Sequence, residues 1–442
     1  MLTTAQVARR ARLSMPLRRR DTALRTGSLD PEEFRADLIA HVGELDPDLG
    51  AFVRPRLDIL DQARVPWAPS VTFKDTIDVA GYPTRLGIRE GHAPTPATSA
   101  QIVKLLARQG FAGIGKVAST ECALGTEKPS RNPRYPHVSA AGSSTGSAVA
   151  VAAGFCDASV GSDSGGSLRW PAVYCGVTAL RLTPTQMLLD GVHCVSPSME
   201  SVGLVTRTPA DLAWLWRERE LPQALGLRTE PGWQPLRVGV VAPPVPVHPD
   251  MTAALHRVRD RLSGLGHQVR EPRLPAVWDM IAPAGTLLAG EASVSFGWLR
   301  HEPGVALQPA TLRAIETGEA VGAVRLAGLR QTQRQARAYM LDLLTTRFDL
   351  LVMPLETQLP DPAELAAGNS LSEADSSALG PLTLVANFAA LPVFALPVAL
   401  SSEDSPAGVQ VLAAPGREDL LVAVGEAVAG DAEFGAARWM EE

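Results

Sequence analysis

Three side chains in this sequence could together carry out acyl chemistry without a histidine: Lys74, Ser143 and Ser167. The two serines lie 24 positions apart, each in a small, Gly- and Ser-rich run beside strongly apolar sequence. The first run is Ala141-Gly142-Ser143-Ser144-Thr145-Gly146-Ser147, and the second is Asp163-Ser164-Gly165-Gly166-Ser167-Leu168-Arg169. A serine attacks an amide carbonyl only if one group takes its proton and others hold the developing oxyanion. Adjacent glycines let successive backbone N–H groups converge on one point. Ser167 therefore fits a nucleophile, with the N–H groups of Ser164, Gly165, Gly166 and Ser167 as the oxyanion hole. A tight strand-to-helix turn or a phosphate-binding loop would have a similar composition.

Lys74 is the candidate base. Val71, Thr72 and Phe73 precede it, and Thr76, Ile77 and Val79 follow closely. Desolvation on a buried strand disfavours the ammonium, and a neutral amine can accept a proton. On local sequence alone, the commoner arrangement is a lysine that snorkels out of its strand and pairs with Asp75 or Asp78. The eight histidines (His41, His92, His137, His193, His248, His256, His267 and His301) lie in no recognisable catalytic setting, and no His-Glu-x-x-His occurs. Neither a metal nor another cofactor is expected. The stretch from Gly110 to Lys116 matches most of a phosphate-binding loop, but Val117 stands where a magnesium-binding Ser or Thr is needed.

The elements that must position these residues read as alternating strands and helices. Strands are expected at 71–79, 111–115, 158–162, 236–241, 349–353, 393–398 and 408–412. Helices are expected over most of 2–50, at 99–109, at 147–155 and through most of 276–344. Asp30 and Pro31, with Glu32 and Glu33 behind them, form a good helix start. Ser144 reads as a helix cap and Ser162 as an ordinary strand residue. Residues 358–380 read as a Pro-, Ala- and Ser-rich loop suited to a flap. The softest joint, 221–235, reads as a loop inside one domain. The alternation predicts parallel βαβ units.

Composition narrows the function further. The chain has 442 residues, 45% hydrophobic and 20% charged, with a formal net charge of -6. That balance suits a large α/β enzyme and lacks the basic footprint of a nucleic-acid binder. No apolar run approaches the roughly 18–20 residues that span a bilayer, so no membrane association is expected. Arg9-Arg10 and Arg18-Arg19-Arg20 have no apolar segment behind them and read as the polar face of a surface helix. Four cysteines without a Cys-x-x-Cys pair are expected as free thiols in a cytoplasmic enzyme.

Taken in order, these segments resemble the amidase signature family. Val71 through Gly81 is similar to that family's lysine segment, and Gly115-Lys116 through Gly125 to the strand and helix after it. Asn132-Pro133 then leads into the Gly/Ser loop. Ser143 aligns with the serine that the family holds after a cis peptide bond, and Ser167 with its nucleophile. Arg169, Pro171, Cys175 and Gly176 complete the signature. Ser196 to Gly203, Thr206-Arg207, Leu45 to Val53, Pro354, Asn387, Pro392 to Pro397, Gly408 to Leu412 and Glu418 to Leu421 extend the likeness over about residues 30–430. Four positions depart from the family pattern: Ala141 and Thr145 replace glycines, Ser164 stands for a common Thr or Ile, and Glu200 replaces a frequent aspartate.

The resemblance implies an α/β fold with a central mixed, mostly parallel sheet covered by helices on both faces. It implies a helical segment over 1–28 and one domain over 29–442. It implies an amide hydrolase with a Ser-cis-Ser-Lys triad of Lys74, Ser143 and Ser167 and an acyl-enzyme, releasing ammonia or an amine. Ser144, Asp163 and Arg169 are then supporting residues. An acyltransferase using the same acyl-enzyme and the glutaminase-type subunit of a tRNA-dependent amidotransferase are the alternatives, and a catalytically dead binding relative is the non-enzymatic one. The substrate expected is a small amide, apolar or aromatic, bound among residues 126–137, the stretch around His193-Cys194 and the loop before Gly380. Glu127, Lys128, Arg131 and Arg134 are the charges expected there. A homodimer is suggested by the likeness alone.

Overall fold

The computed structural model describes residues 4–57, 68–125, 129–227, 235–358, 382–398 and 406–430. Eleven strands form one sheet in the order β1-β3-β2-β4-β6-β5-β10-β11-β9-β7-β8. They are β1 (Phe52–Pro55), β2 (Ser70–Lys74), β3 (Ala112–Val117), β4 (Ala158–Ser162), β5 (Thr178–Arg181), β6 (Val202–Thr206), β7 (Arg237–Val240), β8 (Gln268–Arg270), β9 (Leu350–Pro354), β10 (Val393–Val398) and β11 (Ala407–Ala413). A large mixed sheet flanked by helices is what the sequence implied. The weight of parallel pairing is not: β2 pairs parallel with β3 and β4, and β7 with β8 and β9, while the other six pairings are antiparallel. The expected crossover helices occur only around the two parallel patches. Elsewhere the antiparallel pairs mostly join strands that are not consecutive in the chain, and β5 and β6 are linked through the helix Gln186–Leu189.

Both faces of the sheet are buried, so its central strands are apolar with little alternation. The pleat still sorts them. Val71 and Phe73 of β2 join a core with Val160, Leu180, Leu204, Phe394 and Val409. Ala179, Val205 and Ala395 face the opposite side, where the helix Thr145–Ala152 packs. Period two therefore turns Thr72 and Lys74 toward that helix and away from Phe73. The helix is buried along its whole length. Its small side chains allow close approach to the sheet, and burying Val149 and Val151 stabilises by roughly 1.5–3 kcal/mol each.

Strand β2 ends at Lys74, five residues short of expectation, because Ile77 N–H turns back onto the Lys74 carbonyl. The strands β1, β5, β6 and β8 carried no expectation of their own. The 276–344 region is helical as expected, in the pieces Pro275–Ile281, Ala284–Phe296, Pro309–Glu319 and Ala323–Asp342. The expected start at Asp30 is present, with its carboxylate accepting from Glu32 and Glu33 N–H. The arginine-rich N-terminus is only partly a solvated face. Arg18 and Arg19 are exposed, but Arg20 is buried and ion-paired with Asp157, docking the helix Leu17–Arg25 on the core. All four cysteines are free thiols. No helix among the described residues is long and apolar enough to cross a membrane. The expected flap falls almost wholly outside the described residues, as do Glu127, Lys128 and part of the 221–235 joint.

Candidate active site

The site forms where β2 and β4 end side by side. They run parallel, so their C-terminal ends open on the same edge, a common place for a site in α/β sheets. Lys74 closes β2. The 163–168 turn leaves β4, and the helix Thr145–Ala152 starts from the Gly/Ser loop at the same edge.

Lys74 is fully buried, and its Nζ donates to Ser143 Oγ at 2.6 Å and to Ser162 Oγ at 2.9 Å. The snorkelling arrangement is therefore absent. Asp75 binds the buried Lys116 at 3.1 Å, and Asp78 is engaged by His193 and Thr84. Burial pushes the Lys74 ammonium down to about 8, against the smaller opposing pull of Glu200 and Asp163. Hydroxyl partners explain why the charge is poorly held: each accepts a hydrogen bond but brings no counter-charge.

Ser143 follows a cis peptide bond from Gly142. Its neighbour Ser144 stands at the cap position of the helix, yet its hydroxyl does not cap it. That hydroxyl donates instead to the Ser162 carbonyl at 3.1 Å, and Ser144 N–H donates to the Ser167 carbonyl at 3.0 Å. Ser144 thus laces the Ser143 loop to both ends of the β4 turn. Glycine at 161 permits this: a Cβ there would sit 2.8 Å from Ser144 Oγ. Ser167 is half-buried, and no hydrogen bond joins its hydroxyl to that of Ser143. The structure thus brings Lys74 and Ser143 into direct contact and holds Ser167 beside them through the backbone.

The 163–168 turn is fixed from beneath by a buried charge cluster. Asp163 accepts from Arg169 at 2.8 and 3.0 Å, from Asn387 Nδ2 at 2.8 Å and from Gly166 N–H at 2.8 Å, with Arg181 at 3.7 Å. Burial alone would raise the Asp163 carboxyl, but Arg169 and Arg181 overcome it and hold the group well below the usual range. Arg169 also reaches Gln410 at 2.6 Å and Asn387 Oδ1 at 2.5 Å. Gly166 has φ +113, and a Cβ there would lie 2.6 Å from Thr383 Oγ1. Thr383 in turn donates to the Gly165 carbonyl at 2.6 Å. Of the four N–H groups expected to hold an oxyanion, that of Gly166 is already engaged by Asp163. Those of Ser164, Gly165 and Ser167 donate to no acceptor among the described residues.

Replacing Asp163 by alanine would leave two buried guanidiniums without their carboxylate. The expected cost is about 3–5 kcal/mol of stability, read as a lower denaturant midpoint. The sign with pH follows from the depressed carboxyl. Its contribution is complete above the ordinary Asp range of roughly 3.9 and is lost only as pH falls through the lower folded value.

Sequence reasoning had no signal for Ser162 as a lysine partner, for Arg181, Thr383 or Gln410 in the supporting shell, or for Leu288 and Leu384. A Cβ on Gly165 would lie 3.2 Å from Leu288 Cδ1 and 3.4 Å from Leu384 Cδ2, so an apolar wall faces the turn. Of the expected pocket residues, 129–137, His193 and Cys194 are described; Arg131 is exposed, and Arg134, His193 and Cys194 are partly exposed. Residues 126–128 and 359–380 lie outside the described part. No group of His, Cys, Asp or Glu among the described residues could hold a metal ion.

Known proteins share this arrangement of elements. The chain superposes on 6-aminohexanoate cyclic dimer hydrolase in complex with its substrate with a TM-score of 0.80, at 24% identity, covering 95% of this chain and 97% of the other. A crystal structure of an amidase gives 0.77 at 26% identity, covering 94% and 99%. In sequence, a glutamyl-tRNA(Gln) amidotransferase subunit from a Synechococcus strain is 25% identical, over 93% of this chain and 96% of that relative. Indoleacetamide hydrolase of Pseudomonas savastanoi is 38% identical over 34% of each chain. The family profile described as Amidase matches residues 70–422, from β2 with Lys74 through both serine loops to the last described helix. By its fold, its ordered segments and this match, the chain belongs to the Amidase family.

Proposed function

We propose that this chain hydrolyses a small carboxamide through an acyl-enzyme on Ser167, with Ser143 and Lys74 as its proton relay. The observation that carries this reading is the fully buried Lys74, whose Nζ rests on Ser143 Oγ at 2.6 Å. A neutral amine there accepts a proton from Ser143 as Ser143 accepts one from Ser167. Ser167 Oγ bonds to the amide carbon, and its C=O electrons move onto oxygen. The unengaged N–H groups of Ser164, Gly165 and Ser167 stabilise that oxyanion. The relay then returns the proton to the leaving nitrogen as the C–N bond breaks. Water enters by the same route and releases the acid. The wall of Leu288 and Leu384 favours an apolar or aromatic acyl group over a charged one. Four free thiols fit a reducing, cytoplasmic setting.

A screen of primary carboxamides with and without added hydroxylamine tests this reading. The expected result is release of ammonia with the free acid as main product, and a hydroxamate formed in competition when hydroxylamine is present. A product that forms only when an amine is supplied would assign the site to acyl transfer instead. The likeness to glutamyl-tRNA(Gln) amidotransferase subunits favours glutaminase activity as a second reading. In that case glutamine would be consumed, and only with a partner chain present.

A further inference from the structure

One fully buried carboxyl has no part in that mechanism. Glu200 precedes β6 and is completely shielded from solvent. Its Oε2 accepts a hydrogen bond from the Ser164 hydroxyl and another from Val195 N–H at 3.0 Å, whereas Oε1 has no hydrogen-bond partner among the described residues. Ser164 opens the turn that carries Ser167, so this carboxyl grips the candidate oxyanion hole from behind.

Its surroundings differ from those of Asp163. Both carboxyls are buried to the same degree, but Asp163 has Arg169 at 2.8 Å and Arg181 at 3.7 Å. No cation among the described residues comes within ion-pair distance of Glu200. The groups that face it are Lys74 from β2, Asp163 at the end of β4, Arg181 from β5 and Cys194 in the loop before it. Lys74 directs its Nζ at two serine hydroxyls. Arg181 is occupied by Asp163 and by the carbonyls of Leu391 and Met199. Asp163 is an anion and opposes a second one. Burial keeps the Cys194 thiol protonated. A carboxylate with a bare oxygen in such surroundings is far costlier than a neutral acid.

We propose that Glu200 is a neutral carboxylic acid and the positioning residue of the 164–167 turn, accepting from Ser164 with Oε2 and keeping its proton on Oε1. Burial pushes this carboxyl up, against the smaller opposing effects of the Ser164 and Val195 hydrogen bonds and of Lys74, with Asp163 adding to the rise. With the acid neutral, the pull of a Glu200 carboxylate on the Lys74 ammonium is absent, so Lys74 loses its proton at or below about 8. The catalytic part of this proposal rests on the amide-hydrolase reading above; the protonation state does not.

Infrared difference spectra of the intact protein, wild type minus Glu200→Gln, test it without turnover. A protonated-carboxyl stretch should be present in wild type at pH 7, far above the ordinary glutamate value of roughly 4.3, and missing in the variant. Absence of that band overturns the proposal. Kinetics supply the second readout. Glu200→Ala should lower kcat by about tenfold or more at little-changed KM, since misplacing the turn harms the reacting geometry. Glu200→Gln should recover most of that loss and leave the acid limb of kcat/KM in place. A downward move of that limb by about one pH unit or more in Glu200→Gln would show a carboxylate beside Lys74 and would refute the neutral acid. If no amide is turned over, the hydrolase reading fails while the infrared band still decides the state of Glu200.

Discussion

Ser167→Ala is expected to lower kcat/KM for a carboxamide by roughly 10⁴–10⁶-fold while the protein stays folded. The size follows from the role: without Oγ no acyl-enzyme forms, and the remaining backbone donors and binding surface supply only the residual catalysis. The fold should tolerate the change. Ser167 is half-buried, its side chain joins no element of the core, and the bond from Ser144 N–H to its carbonyl uses backbone alone. Thermal unfolding of the variant alongside its kinetics would separate lost chemistry from lost structure. A loss of less than about tenfold would assign the nucleophile to another residue.

Lys74→Met is expected to cost about 10²–10⁴-fold in kcat/KM, the range of a general base. It should also remove the acid limb of the pH profile. In wild type Lys74 is protonated below about 8, because burial has brought its pKa down to that value. The ammonium cannot accept the Ser143 proton. Activity should therefore rise with pH toward about 8 and level off above it, falling tenfold per unit on the acid side if this one proton controls the rate. In the methionine variant that slope should disappear. Persistence of the same limb would mean that another group titrates there. Stability changes in the next window up: folding disfavours the ammonium, so the folded state gains stability as pH rises between about 8 and the unfolded lysine value of roughly 10.4, where activity is already level.

The candidate residues stand out in the sequence because their signals are local. Gly-Gly next to serine after an apolar strand marks a turn whose N–H groups converge, and a lone lysine inside Val-Thr-Phe-Lys is conspicuous on a strand. The strand Ala158–Ser162 that feeds the turn was readable from the same short stretch. Local reading misled where two interpretations share a sequence. Lys74 beside Asp75 looks like a surface pair, yet Asp75 is taken by Lys116, 41 positions on along the chain. Ser144 looks like a cap, yet its hydroxyl crosses to β4.

The long-range contacts of the supporting shell were illegible for a different reason. Asn387 reaches Asp163 across 224 positions and Gln410 reaches Arg169 across 241. No propensity or period in a single sequence encodes such contacts. They arise because β10 and β11 fold back antiparallel beside β5, which brings the last quarter of the chain under the serine turn. The same folding explains the excess of antiparallel pairing over expectation. A strand buried on both faces reads as continuously apolar whichever way its neighbour runs.

An activated serine at position 167 is tested most directly by intact-mass analysis after treatment with a fluorophosphonate. The probe's phosphorus bonds to the serine oxygen and fluoride departs, so each labelled chain gains one fixed mass. The prediction is a single adduct on wild type, none on Ser167→Ala, and slowed labelling of Lys74→Met. A folded wild-type protein that takes no adduct, or a Ser167→Ala variant that labels as wild type does, would contradict it.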